Sequence, residues 1–375
     1  ACFTSGFAET GEELGRDLQR RITEMARQAK LVLVGPNCMG IYNPRLGVRF
    51  SADQFYGEAG NIGFISQSGT HAIGFSLAGA ANGLRLSKAV SIGNAVVLDA
   101  SDYLEYFAGD PETEAIAMYV EGAGDGRRFA RVLRETAARK PVLIWKGGRT
   151  EAGARATMSH TASLATSSLI WNALMRQSGA IEAGNLDELI DGLKVLLLSK
   201  PASGRRVALL AMTGGQSVVI TDAFAGAGLE IPRLSESSYT KLAEFFNIIG
   251  GSYQNPFDMA GTIHQEGNLE RLLRIVDEDP AVDAIAMELS LMFGARRWQG
   301  DPASFERFLE TIVAHRDRSA KPFLLVMHPA QAEAEALRLR PILQERGLPV
   351  LPSFERAARA LRRVVDYHRF RAGLD

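Results

Sequence analysis

The sequence predicts an α/β protein of doubly wound, mostly parallel sheets, built twice over. Short apolar runs alternate with stretches of helical periodicity along the whole chain. The runs lead into Gly- or Ser-containing turns that open the next helix, as a βα unit requires. And the order of runs and turns from Gly63 to Ile144 is repeated, with the same turn chemistry, from Ala208 to Leu325.

Taken in order, residues 10–29 read as a helix, because Leu14, Leu18, Ile22 and Met25 fall at helical spacing. Leu31–Val34 is a short extended run that stops at Gly35-Pro36-Asn37. A loop over roughly 42–60 leads to a strand at Ile62–Ser66, and strand, turn and helix then alternate to about residue 198. Lys200-Pro201-Ala202-Ser203-Gly204-Arg205, polar and containing Pro and Gly, reads as a linker. Val207–Met212 opens the second series, which runs to the C-terminus.

The repeat is visible residue by residue. Gly63-Phe64-Ile65-Ser66-Gln67-Ser68-Gly69 answers to Ala208-Leu209-Leu210-Ala211-Met212-Thr213-Gly214-Gly215. Asp110-Pro111 leads into Ala115-Ile116-Ala117-Met118, and Asp279-Pro280 leads into Ala284-Ile285-Ala286-Met287. A later strand opens with Lys140-Pro141 in one half and Lys321-Pro322 in the other. This is the pattern of an old duplication of one doubly wound domain.

Composition narrows the function. The 375 residues carry 42 Lys+Arg against 43 Asp+Glu, a net charge of −1, which argues against nucleic-acid binding by phosphate neutralisation. No apolar run approaches the roughly 20 residues needed to span a bilayer, so no membrane partner is expected. Two cysteines, Cys2 and Cys38, make neither a disulfide framework nor a Cys-based zinc site, and the expected compartment is a reducing cytoplasm. None of the six histidines has His-Glu-x-x-His spacing, so no metal site is expected. The chain opens Ala1-Cys2-Phe3-Thr4 without an initiator Met or a signal-peptide pattern, as though entered partway through a domain.

Two turns suit an anion. Ser66-Gln67-Ser68-Gly69-Thr70 and Thr213-Gly214-Gly215-Gln216-Ser217 both sit where a strand meets a helix, so unpaired N–H groups face outward there. Taken singly, each is also what any tight βα turn looks like, since glycine suits a close turn. Gly122-Ala123-Gly124-Asp125-Gly126 lacks dinucleotide spacing and has no ribose-binding acid downstream. His160 lies in a Gly-, Ala- and hydroxyl-rich loop and can accept a phosphoryl group if a carboxylate fixes its tautomer. Glu121, after the Ala115–Val120 run, ends its strand at the correct edge to be that carboxylate. Local chemistry alone favours a surface or capping histidine over a phosphoryl carrier.

The ordered set of motifs is more specific than any one of them. Gly35-Pro36-Asn37-Cys38-x-Gly40, Ser66-Gln67-Ser68-Gly69, Asp110-Pro111-x-Thr113, Tyr119-Val120-Glu121, Ser159-His160-Thr161, Thr213-Gly214-Gly215 and Asn255-Pro256-x-Asp258 succeed one another in the chain. In that order they resemble the NDP-forming acyl-CoA synthetases, the superfamily of succinyl-CoA synthetase. The likeness is strongest to the α subunit of ADP-forming acetyl-CoA synthetase and its fused homologues. It extends over nearly the whole chain.

The resemblance implies two flavodoxin-like domains, at 55–200 and 201–375, preceded at 1–54 by the C-terminal part of a Rossmann-like CoA-binding domain. It implies that acyl-CoA and phosphate give an acyl phosphate, that the phosphoryl group passes to a histidine, and that ADP then takes it, all reversibly. By match His160 is the carrier and Glu121 its orienting carboxylate. Ser68, Gly69 and Thr70 with Thr213, Gly214 and Gly215 match the two helix N-termini that hold the phosphate. A phosphorylated imidazole carries about two negative charges and each helix N-terminus contributes roughly half a positive one. Asn37 and Cys38 match residues at the thiol end of CoA, although Cys38 also reads as a small core hydrophobe. Asn255-Pro256-x-Asp258 reads more readily as a structured turn than as a site.

The chain departs from the family where Ala162 and Thr166 replace the usual glycines. Most of the CoA-binding domain and the ATP-grasp region, which elsewhere binds Mg-ATP or Mg-ADP, are missing from it. The implied partners are therefore an ATP-grasp domain or β-type subunit and a small carboxylic acid or its acyl-CoA, in an oligomer. A non-catalytic acyl-CoA sensor fused to a protein acetyltransferase is the competing reading. In such modules the histidine is often lost, so His160 with Glu121 favours the enzyme.

Overall fold

The computed structural model describes residues 1–161, 167–202, 204–292, 300–329 and 332–373; the side chains of 157–161 and of Pro302 are not described. The chain divides into two compact units, Ala1–Ile190 and Asp191–Asp375. Composition places the linker at 200–205, yet the division falls inside the helix α7, Leu186–Leu198. The reason is local: Asp191 takes two hydrogen bonds from Arg356, and Lys194 Nζ donates to Val350 O at 3.2 Å, so the end of that helix belongs to the second unit.

The first unit is built on six strands: β1 (Gly40–Tyr42), β2 (Ile62–Ser66), β3 (Leu86–Ser91), β4 (Ala115–Val120), β5 (Val142–Lys146) and β6 (Ile181–Ala183). Their spatial order is β1-β3-β2-β4-β5-β6, all parallel except β1, which runs antiparallel to β3 with Gly40 opposite Ser91. Setting β1 aside, the order is the 2-1-3-4-5 of a flavodoxin-like sheet. The strands β2 and β4 are buried at every residue, because crossover helices cover both faces of a parallel sheet. Alternation is therefore invisible in them, and they read as continuous apolar runs.

The second unit repeats the plan with β7 (Val207–Ala211), β8 (Phe257–Asp258), β9 (Ala284–Glu288), β10 (Phe323–Val326) and β11 (Val350–Leu351). The order β11-β10-β9-β7-β8, all parallel, is the same 2-1-3-4-5 read from the other edge. Its two cores lie on opposite sheet faces. Ile285 and Met287 point to one, with helices α10 (Asn268–Glu278) and α11 (Pro302–Arg318), while Ala284 and Ala286 point to the other, with α8 (Gly214–Gly226).

The repeated Asp-Pro and Lys-Pro pairs prove to be one structural device used twice. Lys140 Nζ donates to Asp110 O at 2.5 Å, and Lys321 Nζ donates to Asp279 O at 2.8 Å. Each aspartate also accepts the N–H two residues on, from Glu112 and Ala281 respectively, which closes an Asx turn ahead of the central strand.

The N-terminal segment differs from its expected form in detail. A short 3-10 turn at Ala8–Thr10 precedes α1, Glu13–Gln28. The apolar stripe has the expected spacing, but Leu14 and Met25 are each 66% exposed, and Leu31 and Val32 are exposed as well. The run Leu31–Val34 forms no strand: its backbone ties to the preceding segment are Leu31 N–H to Ala26 O at 2.8 Å and Cys2 N–H to Val34 O at 2.9 Å. No helix among the described residues is long and apolar enough to cross a membrane.

Candidate functional site

At the carboxyl edge of the first sheet, β2 ends in Ser66, whose buried Oγ donates to Ser68 O at 2.7 Å and accepts from Ser68 N–H at 3.2 Å. This folds the turn so that Ser68 caps α2, Gly69–Ala81, its Oγ accepting from His71 N–H. Gly69 faces Met39, and a Cβ there would come within 2.7 Å of Met39 Cγ, so a larger residue would require the Met39 side chain or the turn to shift. Thr70 is exposed beside it. Gln67 braces the turn against the next strand end: its backbone N–H donates to Tyr119 O, its Oε1 accepts from the N–H groups of Glu121 and Gly122, and its Nε2 donates to Gly122 O.

Glu121 is buried just past β4. Its Oε1 accepts from Tyr119 Oη at 3.1 Å, two residues back on the same face. Burial and the Glu121 carboxylate push the Tyr119 hydroxyl well above its ordinary range, so it remains a donor. Buried Lys146, the last residue of β5, donates to Glu121 O at 2.7 Å, and burial lowers its ammonium below the usual lysine value. Gly147 lies against this pair; a Cβ there would approach Tyr119 Oη to 2.6 Å. The ring of His71 lies 4.3 Å from that of Tyr119 and 4.4 Å from that of Trp145. The loop after β5 then leads into α5, Glu151–Thr161, whose last turn carries His160. The His160 side chain lies outside the described residues, as do Ala162 and Thr166.

Asn37 and Cys38 occupy a second place in the first unit. Asn37 has a positive φ of 53° and donates through Nδ2 to Asn94 Oδ1, which ties it to the loop after β3. Cys38 is buried, its thiol donating to Cys2 O at 3.3 Å, and burial pushes that thiol above its ordinary value. It is held as a protonated core thiol rather than a nucleophile.

In the second unit Thr213 caps α8 through Oγ1, which accepts from Gln216 N–H at 3.3 Å. Gly214 and Gly215 are exposed at the helix start, and a Cβ on Gly214 would stand 3.2 Å from Asp258 Oδ2, so glycine lets a carboxylate lie beside the turn. Asn255 spends its amide on the backbone: Oδ1 accepts from Leu209 N–H, and Nδ2 donates to Val207 O and Pro232 O. Gly122–Gly126 is equally structural, Asp125 capping the helix at Gly126–Ala137. Among the described residues no group of three His, Cys, Asp or Glu side chains is placed to hold a metal ion.

Comparison with known proteins bears on this geometry. Residues 59–196 match the family model of the succinyl-CoA ligase-like flavodoxin domain. Over 380 aligned residues the chain is 32% identical to the α subunit of Acetate--CoA ligase [ADP-forming] I of Pyrococcus furiosus, spanning 98% of this chain and 77% of that subunit. The chain belongs to the ADP-forming acyl-CoA ligase family. It is also 39% identical over 282 residues to Acetate--CoA ligase [ADP-forming] I of Archaeoglobus fulgidus, a match covering 75% of this chain and 40% of that enzyme. The ligase fold agrees in three dimensions with acetyl-coenzyme A synthetase 1 of Ca. Korarchaeum cryptofilum, solved with phosphate and ADP. The TM-score is 0.84 at 29% identity, over 100% of this chain and 78% of that one. This ligase chain is of the α-subunit type, and no ATP-grasp domain is present among its described residues.

The strand-end position of Glu121 was readable in the ligase sequence; the groups that hold it were not. Gln67, Tyr119 and Lys146 sit in or beside strands that read as apolar core, and only the sheet register, Ser66 opposite Tyr119 and Val120 opposite Lys146, brings them together.

Proposed function

We propose that this chain is the CoA-ligase part of an enzyme that interconverts acyl-CoA, phosphate and ADP with a carboxylic acid, CoA and ATP through a phosphohistidine at His160. One observation carries the reading: a buried carboxylate, Glu121, is held by Tyr119 Oη at 3.1 Å on the sheet edge that also carries the Ser68-Gly69-Thr70 turn and leads into the helix bearing His160.

The residues divide the work. A phosphate oxygen attacks the thioester carbonyl, the C–S bond breaks, and CoA leaves as thiolate to give the acyl phosphate. An imidazole nitrogen of His160 attacks phosphorus, and the P–O bond breaks to release the carboxylate. Glu121 accepts a hydrogen bond from the other imidazole N–H, fixing the tautomer and offsetting the charge that develops on the ring. Tyr119 in turn holds Glu121, and Gln67 fixes the backbone at Glu121 and Gly122. The N-terminus of α2, and that of α8 in its own unit, supply N–H donors for phosphate oxygens. Asn37 and Cys38 are assigned to the thiol end of CoA. A β-type or ATP-grasp partner supplies the nucleotide site and its Mg²⁺, and ADP attacks the phosphohistidine there.

The test is direct. Incubated with ATP and a complementing ATP-grasp subunit, the chain should gain an acid-labile, base-stable phosphoryl label, and His160→Asn should abolish it. A label that persists in that variant removes His160 from the role.

A further inference from the structure

The second unit holds a cavity that the phosphoryl chemistry above does not use. It opens over the carboxyl edge of its sheet, beside the ends of β7 and β9, and has a volume of about 610 Å³. Connections leave these neighbouring strands toward opposite sides, which is where open α/β sheets bind ligands. Met212, Met287 and Leu289 form an apolar floor, and Leu269 of α10 and Phe308 of α11 form walls. A cavity of this size suits a small organic molecule.

Glu288 lies in that floor and is only 3% exposed. Its Oε2 accepts from Met212 N–H at 2.8 Å, while Oε1 has no hydrogen-bond partner among the described residues. Burial first, and then the nearby Asp258 carboxylate, push the Glu288 carboxyl above its ordinary value. Carboxylates also mark the rim. Glu266 and Glu310 have no ion-pair partner among the described residues, whereas Arg307 pairs with Asp301 at 3.4 Å and Glu270 with Arg318 at 3.3 Å. Among the described lining residues the uncompensated charge is therefore negative. Since no three ligating side chains converge on a metal-sized point among the described residues, an organic cation fits better than a metal ion.

We propose that this cavity binds a small organic cation with an apolar body, its ammonium head donating to Glu288 Oε1 and its body packed on Met212, Met287 and Leu289. An ammonium gives Glu288 Oε1 a partner beside the Met212 N–H already held by Oε2, and the rim carboxylates favour its entry. An anionic ligand would meet the Glu288 carboxyl on the floor and the Glu266 and Glu310 carboxylates at the rim.

Calorimetric titration of the full chain tests this with three probes of one shape: 2-phenylethylammonium, the neutral 2-phenylethanol and the anionic 3-phenylpropionate. The ammonium should bind one per chain, and the other two weaker by roughly tenfold or more, as expected for loss of a charge-assisted hydrogen bond. Glu288→Gln should weaken the ammonium by a similar factor and leave the weak binding of the alcohol unchanged. Thr311→Trp, which adds a bulky ring to the cavity lining from α11 and leaves the Glu288 side chain in place, should abolish binding and keeps the test informative if the first variant does not fold. Equal ammonium affinity in parent and Glu288→Gln, unchanged affinity in Thr311→Trp, preference for the carboxylate, or Mg²⁺ competing away the ammonium would each overturn the proposal.

Discussion

Glu121 acts through the groups that hold it. A carboxylate buried at a strand end has a defined direction only if its oxygens are tied down, and Tyr119 does this at 3.1 Å from two residues earlier on β4. Glu121→Gln retains the shape but replaces an anionic acceptor with an amide, so on the proposed mechanism the imidazole loses the charge that would steady its developing cation. Protein phosphorylation should slow by roughly a hundredfold, in the range typical of acid–base and orienting groups, while CoA affinity stays near the parent value. Tyr119→Phe removes only the tie and should slow labelling about tenfold, the equivalent of one hydrogen bond to a charged group. Rapid-quench labelling with ATP and the complementing subunit measures both rates. A parental rate in Glu121→Gln would strike it from the site, and a Tyr119→Phe loss as large as that of Glu121→Gln would mean the tyrosine does more than orient.

At the scale of elements, periodicity and turn chemistry made much of the fold legible. The strands that open each half, the caps Ser68 and Thr213 and the duplicated order all stand in the sequence, and the two 2-1-3-4-5 sheets obey that plan. Two things stayed hidden for physical reasons. The spacing of Leu14, Leu18 and Met25 announces an apolar helix face but not what covers it, and in the described structure Leu14 and Met25 stay largely exposed. And the Asp-Pro and Lys-Pro pairs, far apart in sequence, look like unrelated turn signals until Lys140 reaches Asp110 O and Lys321 reaches Asp279 O. Because both lysines are lowered by burial and still donate to a turn carbonyl, each is part of a closed backbone arrangement rather than a solvated charge. Lys140→Met and Lys321→Met should each destabilise their own unit by about 1–3 kcal/mol, the cost of leaving a buried carbonyl without its donor. Urea unfolding monitored by circular dichroism would show this as a lowered midpoint in both variants. If either is as stable as the parent, the repeated pair is inherited sequence without a mechanical role.

At the scale of the whole molecule, near-neutral charge is compatible with the proposed anionic chemistry, because backbone N–H groups at a helix N-terminus can meet an anion without a basic surface. The chain has 42 basic and 43 acidic residues, yet each unit presents a capped helix N-terminus at the carboxyl edge of its sheet. Such a donor set works locally and needs no excess of lysine or arginine around it. The division of labour rests on the same set of parts. The described residues make up two flavodoxin-like sheets with their helices and an N-terminal segment, and no nucleotide-binding ATP-grasp domain is among them. If the chain carries the acyl and phosphoryl half of the reaction, that half should run without nucleotide. Mixed with acetyl-CoA and labelled phosphate, and with a CoA-binding segment supplied from a relative where needed, it should release free thiol in step with acid-labile label on the protein. With ADP added it should make no ATP. Adding the ATP-grasp subunit should then discharge the label into ATP and return His160 for another cycle, at a rate set by subunit concentration rather than by phosphate. ATP formed by the chain alone would place a nucleotide site within these 375 residues and undo that division.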